Sequence, residues 1–215
     1  MNDLILSVHG LARSFNRRLV FKDLDFSVAA PGSLAITGKN GAGKSTLVKI
    51  LAGIASPTKG RVTYTADGKA VDADALRERM GFVAPYLNLY EEFTAWENLA
   101  ILGRIRTGTV PSAEQIGDTL RRVDLWQRRD DLVAGFSSGM KQRLKYAMAI
   151  LDAPAILFLD EPTANLDADG IAIVETVVRD QQRHGILILA TNDESEASWC
   201  RERIHLAGRG TDARP

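Results

Sequence analysis

The stretch Gly38-Lys39-Asn40-Gly41-Ala42-Gly43-Lys44-Ser45-Thr46 limits what this chain can fold into more than any other. A G-x-x-x-x-G-K-[ST] pattern works only where a strand ends and a helix begins. The apolar run Leu34–Thr37 precedes it, and a helical pattern over Gly43–Leu51 follows. Gly38, Gly41 and Gly43 let the backbone curl until several N–H groups point at one phosphate cluster, with Asn40 and Ala42 in the same cradle. The following helix, opening through Lys44, Ser45 and Thr46, adds the positive end of its dipole. Lys44 is suited to the β- and γ-phosphates of a nucleotide, and the Ser45 hydroxyl to Mg²⁺. Glycine makes up about 7% of average sequences, so a chance match in a chain of this length is roughly one in a hundred.

The rest of the chain repeats the strand-then-helix alternation. Residues 1–84 hold the β-like runs Ile5–Val8, Leu24–Val28, Leu34–Thr37, Arg61–Thr65 and Phe82–Ala84, broken by Gly and Pro signals. Residues 85–153 change character, and the apolar spacing predicts helices over Thr94–Arg104, Ala113–Val123 and Met140–Leu151. Residues 154–215 alternate again: strand Ile156–Leu159, helix Ala168–Gln182, strand Ile186–Ala190, a short helix and strand Arg203–Leu206. The order implies one α/β domain with a mainly parallel sheet. Residues 1–84 and 154–215 form its core, and 85–153 an inserted helical subdomain. The tail Gly208–Pro215 is expected to fray.

Composition narrows the function classes. Lys+Arg and Asp+Glu both number 27, so net charge is zero and a general electrostatic grip on nucleic acid is not expected. Cys200 is the only cysteine, which excludes an internal disulfide and suits a reducing compartment. The N-terminus lacks the pattern of a signal peptide. No apolar stretch approaches the ~20 residues that cross a bilayer, so a membrane role is expected only through a partner. His9, His184 and His205 match no metal spacing and read as surface or structural residues.

A second site-forming element is Ile156-Leu157-Phe158-Leu159-Asp160-Glu161, a buried strand ending in two carboxylates. Asp160 would hold Mg²⁺ through its water shell. Glu161 would act as general base on an attacking water, an effect worth about 10²–10⁴-fold. Between the two motifs lies Phe136-Ser137-Ser138-Gly139-Met140-Lys141-Gln142-Arg143, which by itself reads as a serine-capped helix start.

With these residues in place the chain resembles the nucleotide-binding subunits of ABC transporters over nearly its whole length. Their signature, usually Leu-Ser-Gly-Gly-Gln, corresponds to Phe136–Met140. The resemblance implies a P-loop NTPase core with an N-terminal antiparallel β part and an inserted helical subdomain. It implies that Phe15 stacks on adenine and that Asn165-Leu166-Asp167 forms the loop crossing a dimer interface. It further implies two subunits, the same chain twice, facing head to tail. Each ATP, with Mg²⁺, would lie between one subunit's phosphate loop and the other's Ser137 and Gly139. The partner would be a transmembrane permease subunit, the location the cytoplasmic face of the cell membrane, and nucleic acid is not expected. The short chain looks somewhat like subunits of haem exporters used in cytochrome c maturation.

Several positions depart from the family pattern. Ser138 and Met140 replace a glycine and a glutamine of the signature. Pro85 stands where a glutamine is expected after strand Gly81-Phe82-Val83-Ala84, and Asn88 is the candidate to replace it. In Leu187-Ile188-Leu189-Ala190-Thr191-Asn192, the family's histidine is Asn192, expected to face the γ-phosphate, the alternative being a cap on the helix near Asp193. Tyr90 and Phe93 read as a docking surface for a membrane subunit, and Lys141, Arg143 and Lys145 as a solvated helix face. Two alternatives to a transporter ATPase stay open: an ATP-gated binding module with weak hydrolysis, and a soluble ABC ATPase without a transport role.

Overall fold

Strands covered on both faces have no solvent side to alternate with, so their sequences are continuous apolar runs. A computed structural model places three such runs at the centre of the molecule; it describes residues 3–16 and 18–207, without the side chains of Ala73 and Asp74. The tail expected to fray lies outside the described residues. In chain order the strands are β1 Ile5–Phe15, β2 Arg18–Ala29, β3 Gly32–Thr37, β4 Lys59–Ala66, β5 Lys69–Ala70, β6 Met80–Val83, β7 Ile156–Asp160, β8 Ile186–Thr191 and β9 Glu202–His205. The helices are α1 Lys44–Leu51, α2 Ala73–Arg77, α3 Ala95–Thr107, α4 Ala113–Arg122, α5 Ser138–Ile150, α6 Ala168–His184 and α7 Glu194–Ala197.

Five strands form a parallel sheet in the order β6-β7-β8-β3-β9, and an antiparallel sheet runs β2-β1-β4-β5. Every residue of β3, β7 and β8 is buried. Successive side chains point to opposite faces, so one strand feeds two cores. Ile36, Phe158 and Ile188 join Leu6, Val8, Leu47 and Val48 on the side of the antiparallel sheet and α1. Leu157, Leu159, Leu187 and Leu189 join Leu99, Leu120, Leu144 and Val174 from α3, α4, α5 and α6. Each such side chain contributes about 1.5–3 kcal/mol by leaving water. The parallel sheet is thereby clamped between layers, and its register is fixed.

That register decides where the site lies. Thr37 pairs with Thr191, and Asp160 with Ala190. The chain therefore leaves β3, β7 and β8 at one edge, and the segments beginning at Gly38, Glu161 and Asn192 emerge side by side.

The outer strands are longer than the apolar runs that predict them. β1 and β2 pair all the way to Phe15 and Arg18, with register shifts after Val8 and Leu11. Those irregularities and the exposed His9 and Gly10 break the alternation on which the pattern depends. Helix ends follow local chemistry. Thr94 and Glu97 form a capping box at the start of α3, and Asp167 caps α6 by accepting from the Gly170 N–H at 2.9 Å. Among the described residues, no helix is long and apolar enough to cross a membrane.

Candidate functional site

The loop after β3 has the conformation its glycines permit. Gly43, at the N-cap of α1, sits at φ 104°, and a Cβ there would lie 2.4 Å from Val20 Cγ1. Both the backbone and the space exclude a side chain. Lys44 follows and is buried; its Nζ donates to the Gly38 carbonyl at 2.9 Å and lies 3.5 Å from Glu161 Oε1. Ser45 Oγ donates to Asp160 Oδ1 at 3.0 Å. Glu161 has φ 50°, a left-handed conformation that costs of order 1–3 kcal/mol for a non-glycine residue. Its N–H donates to the Ala190 carbonyl at 2.9 Å, and its side chain lines the same cleft as Lys44 and Ser45.

The two carboxyls share one electrostatic problem. Burial raises the Asp160 pKa above the usual carboxylate value, with the Ser45 hydrogen bond, Lys44 and Lys49 opposing. Burial likewise raises Glu161; Lys44 opposes, and the charges of Glu196 and Asp160 add to the rise. A hard divalent cation at Ser45 and Asp160 would relieve this excess of negative charge, and a hydroxyl beside a carboxylate is an oxygen donor set that fits Mg²⁺. The helix termini point the same way. α3, α4, α6 and α7 carry acidic residues in their first turns, whereas α1 and α5 carry none. An anion from outside would therefore meet an uncompensated positive dipole end at α1 and at α5.

The cleft measures about 800 Å³, the size of a small-molecule site, and its lining includes Phe15, Asn40, Gly41, Gly43, Lys44, Ser45, Thr46 and Glu161. Phe15 ends β1, 48% exposed, with the Arg13 guanidinium 4.2 Å from its ring centroid. Ala42 is turned into the core beneath the loop. Asn192 lies in an adjoining recess with Gly38, Asn40 and His205, where its Nδ2 donates to Asn40 Oδ1 at 3.1 Å. The helix cap is Asp193, whose Oδ1 accepts from the Ser195 N–H at 2.7 Å, so capping does not account for Asn192.

The remaining expected residues are not in this cleft. Ser137 caps α5, its Oγ accepting from the Met140 N–H at 3.2 Å. A Cβ on Gly139 would lie 3.5 Å from the Asn165 carbonyl, so the Ser137–Gly139 turn abuts the segment after Glu161. Asn88 lines a separate groove with Pro85, Glu91, Lys141 and Lys145 and does not replace the missing glutamine in the cleft. The chain turns at Pro85, where the Leu87 N–H donates to Ala84 O at 3.2 Å, and Asn88 is carried to the other groove. The cations of α5 are not a solvated face. Lys141 pairs with Glu91 at 2.6 Å, Arg143 with Asp124 at 2.8 Å, and Lys145 donates to the Pro85 carbonyl at 3.0 Å. Each ties the helix to a neighbouring loop.

Sequence reasoning missed Lys49 and Glu196. The Lys49 ammonium lies 4.0 Å from the Tyr86 ring centroid, and its charge bears on Asp160. The signal for Lys49 was present, since it follows Ser45 at i,i+4 on α1 and shares its face. Glu196 is buried and bonds the turn after Glu161; on paper it is one acid in the polar run after β8.

Comparisons with known proteins agree with this geometry. The family model described as ABC transporter matches residues 21–164. The Nod factor export ATP-binding protein I of Rhizobium johnstonii is 32% identical over 213 residues, 97% of this chain and 68% of that protein. The daunorubicin resistance ATP-binding protein DrrA3 of Streptomyces coeruleorubidus is 32% identical over 98% of this chain and 67% of its own length. A solved ATP-binding subunit of an ABC transporter superposes with a TM-score of 0.82 at 27% identity, covering 94% of this chain and 86% of that one. A dimeric ATP-binding cassette bound to ADP and Pi shares the fold, with a TM-score of 0.82 at 21% identity and 94% of each chain covered. Phosphate loop, paired carboxylates, sheet order and relatives lead to one assignment: this chain belongs to the ABC transporter family, among its ATP-binding cassettes.

Proposed function

We propose that the chain binds and hydrolyses ATP as the nucleotide-binding subunit of an ABC transporter, with residues 85–153 as its helical subdomain. The observation that carries the reading is the convergence of Lys44, Ser45, Asp160 and Glu161 on one cleft at the ends of β3 and β7. Phe15 takes the adenine ring, and the amides of Gly41, Gly43 and Lys44 take the β-phosphate. Lys44 holds the γ-phosphate in place of its present contact with the Gly38 carbonyl. Ser45 and Asp160 would hold Mg²⁺, which would neutralise phosphate charge during the transfer. Glu161 accepts the proton of the water that attacks phosphorus as the bond to the β–γ bridging oxygen breaks. Burial raises its pKa, which makes the carboxylate a stronger proton acceptor.

Ser137 and Gly139 serve the cleft of a second copy of the chain, since in their own chain they lie outside it. Tyr90 and Phe93, exposed and with ring centroids 5.9 Å apart, form the docking surface for a transmembrane subunit at the cytoplasmic face. Relatives named for Nod factor export support an exporting system. A binding module with weak hydrolysis is the second reading, favoured by Pro85, which offers a carbonyl to Lys145 and no side-chain amide to the cleft.

Steady-state Mg²⁺-dependent ATPase measurements separate the two. The wild type is expected to turn over ATP. Glu161→Gln is expected to lose about 10²–10⁴-fold in rate while keeping ATP. Sedimentation of that variant with ATP should show a dimer; a monomer at saturating ATP would count against the sandwich.

A further inference from the structure

Glu196 is 4% exposed, yet it is a carboxylate and none of the roles above uses it. Burying such a group is unfavourable unless donors surround it. Its donors come from a turn and from the end of a strand. Oε1 accepts from the Thr163 N–H at 3.2 Å and from the Thr163 hydroxyl. Oε2 accepts from the Thr191 hydroxyl, which itself accepts from the Asp193 N–H at 2.9 Å. One carboxylate on α7 thus joins the turn that follows Glu161 to the end of β8, next to Asn192.

The turn it grips is held elsewhere as well. The buried Tyr146 hydroxyl of α5 donates to the Pro162 carbonyl at 2.8 Å. The Ala164 N–H donates back to Glu161 O at 3.3 Å, and the Leu166 N–H to Thr163 O at 3.1 Å. Glu161 and Asn165, on either side of this turn, are both left-handed, at φ 50° and 65°. Such conformations persist only where surrounding bonds over-determine them. Glu196 and Tyr146 supply those bonds from outside the turn.

We propose that Glu196 is a positioning residue that fixes the Pro162–Ala164 turn to the end of β8, so that Glu161 and Asn192 keep one geometry toward the γ-phosphate. The role rests on the ATPase reading for its consequence, but the brace itself is a property of the chain without nucleotide. A misplacement of about 1 Å in a catalytic group typically lowers rate by roughly 10²-fold. Glutamine can keep the network: its carbonyl accepts from both Thr163 donors, and its NH₂ donates to the Thr191 hydroxyl, which can rotate to accept. Alanine leaves all three donors without a partner.

The test compares Glu196→Ala and Glu196→Gln by hydrogen exchange without nucleotide and by ATPase kinetics. In Glu196→Ala the Thr163 amide should exchange at least about tenfold faster, and kcat should fall roughly 10²-fold while KM for ATP stays within about threefold. Glu196→Gln should restore amide protection and most of kcat. Should Glu196→Ala not unfold cooperatively, Thr163→Val takes its place, expected to lower kcat about tenfold because it removes one anchor and leaves the carboxylate. Unchanged Thr163 protection in Glu196→Ala would overturn the brace. Lost protection with native kcat would overturn its link to Glu161. Lost protection in a chain whose wild type hydrolyses no ATP would support the brace and refute the ATPase reading instead.

Discussion

Replacing Asn192 by alanine should separate rate from stability. The side chain is exposed, and the bond it makes in the free chain runs from Nδ2 to Asn40 Oδ1 at 3.1 Å. A neutral, solvent-accessible bond of this kind contributes at most about 0.5–1.5 kcal/mol to folding, so the melting transition should hardly move. In the ATP state the same NH₂ would donate to a γ-phosphate oxygen. Losing one donor to a charged ground state weakens binding by about 1.5 kcal/mol, or roughly tenfold in Kd. The charge on that oxygen is redistributed as the phosphoryl group transfers, and a preorganised donor favours the transition state. Removing one such donor typically raises the barrier by about 2.7–4 kcal/mol, or roughly 10²–10³ in kcat. Asn192→His should retain activity, because a neutral imidazole can also donate and Glu161 remains the base. Steady-state turnover, ATP titration and thermal unfolding of both variants form the assay. Near-native kcat in Asn192→Ala would refute the γ-phosphate role.

Polar replacement of Tyr90 and Phe93 together should abolish co-purification with a transmembrane subunit and leave the melt of the isolated chain close to native, since both rings are exposed. Retained co-purification would place the docking surface elsewhere. Tyr146→Phe should lower stability by about 1–3 kcal/mol in denaturant unfolding, because the buried Pro162 carbonyl loses its donor. Burial pushes the Cys200 thiol up to about 12, with Ser33 and Arg203 opposing. At pH 8 its alkylation should therefore run roughly 10³-fold slower than that of a free cysteine and recover in denaturant.

The sequence by itself determined the parts of the site that are written in adjacent residues. Gly38–Thr46 is legible because the phosphate cradle is backbone, and its shape follows from glycines between one strand and one helix. Asp160 and Glu161 are legible because an apolar run that stops at two carboxylates marks the end of a buried strand, with Asp160 as its last residue. The Asp193 cap was hidden beside Asn192, since two neighbouring polar residues serve a helix start equally well on paper. Only the tertiary structure decided what depends on register. Thr37 beside Thr191 and Asp160 beside Ala190 bring three loops to one edge, and no local pattern states which strands are neighbours. The same register puts Glu196 against Thr163, 33 residues away in the chain. It gives Lys141, Arg143 and Lys145 partners on other loops, and it sends Asn88 to a different groove from the phosphates. Turn chemistry and hydrophobic period act over a few residues and leave a sequence trace. Contacts across the sheet depend on how two cores pack against its opposite faces, and that packing leaves none.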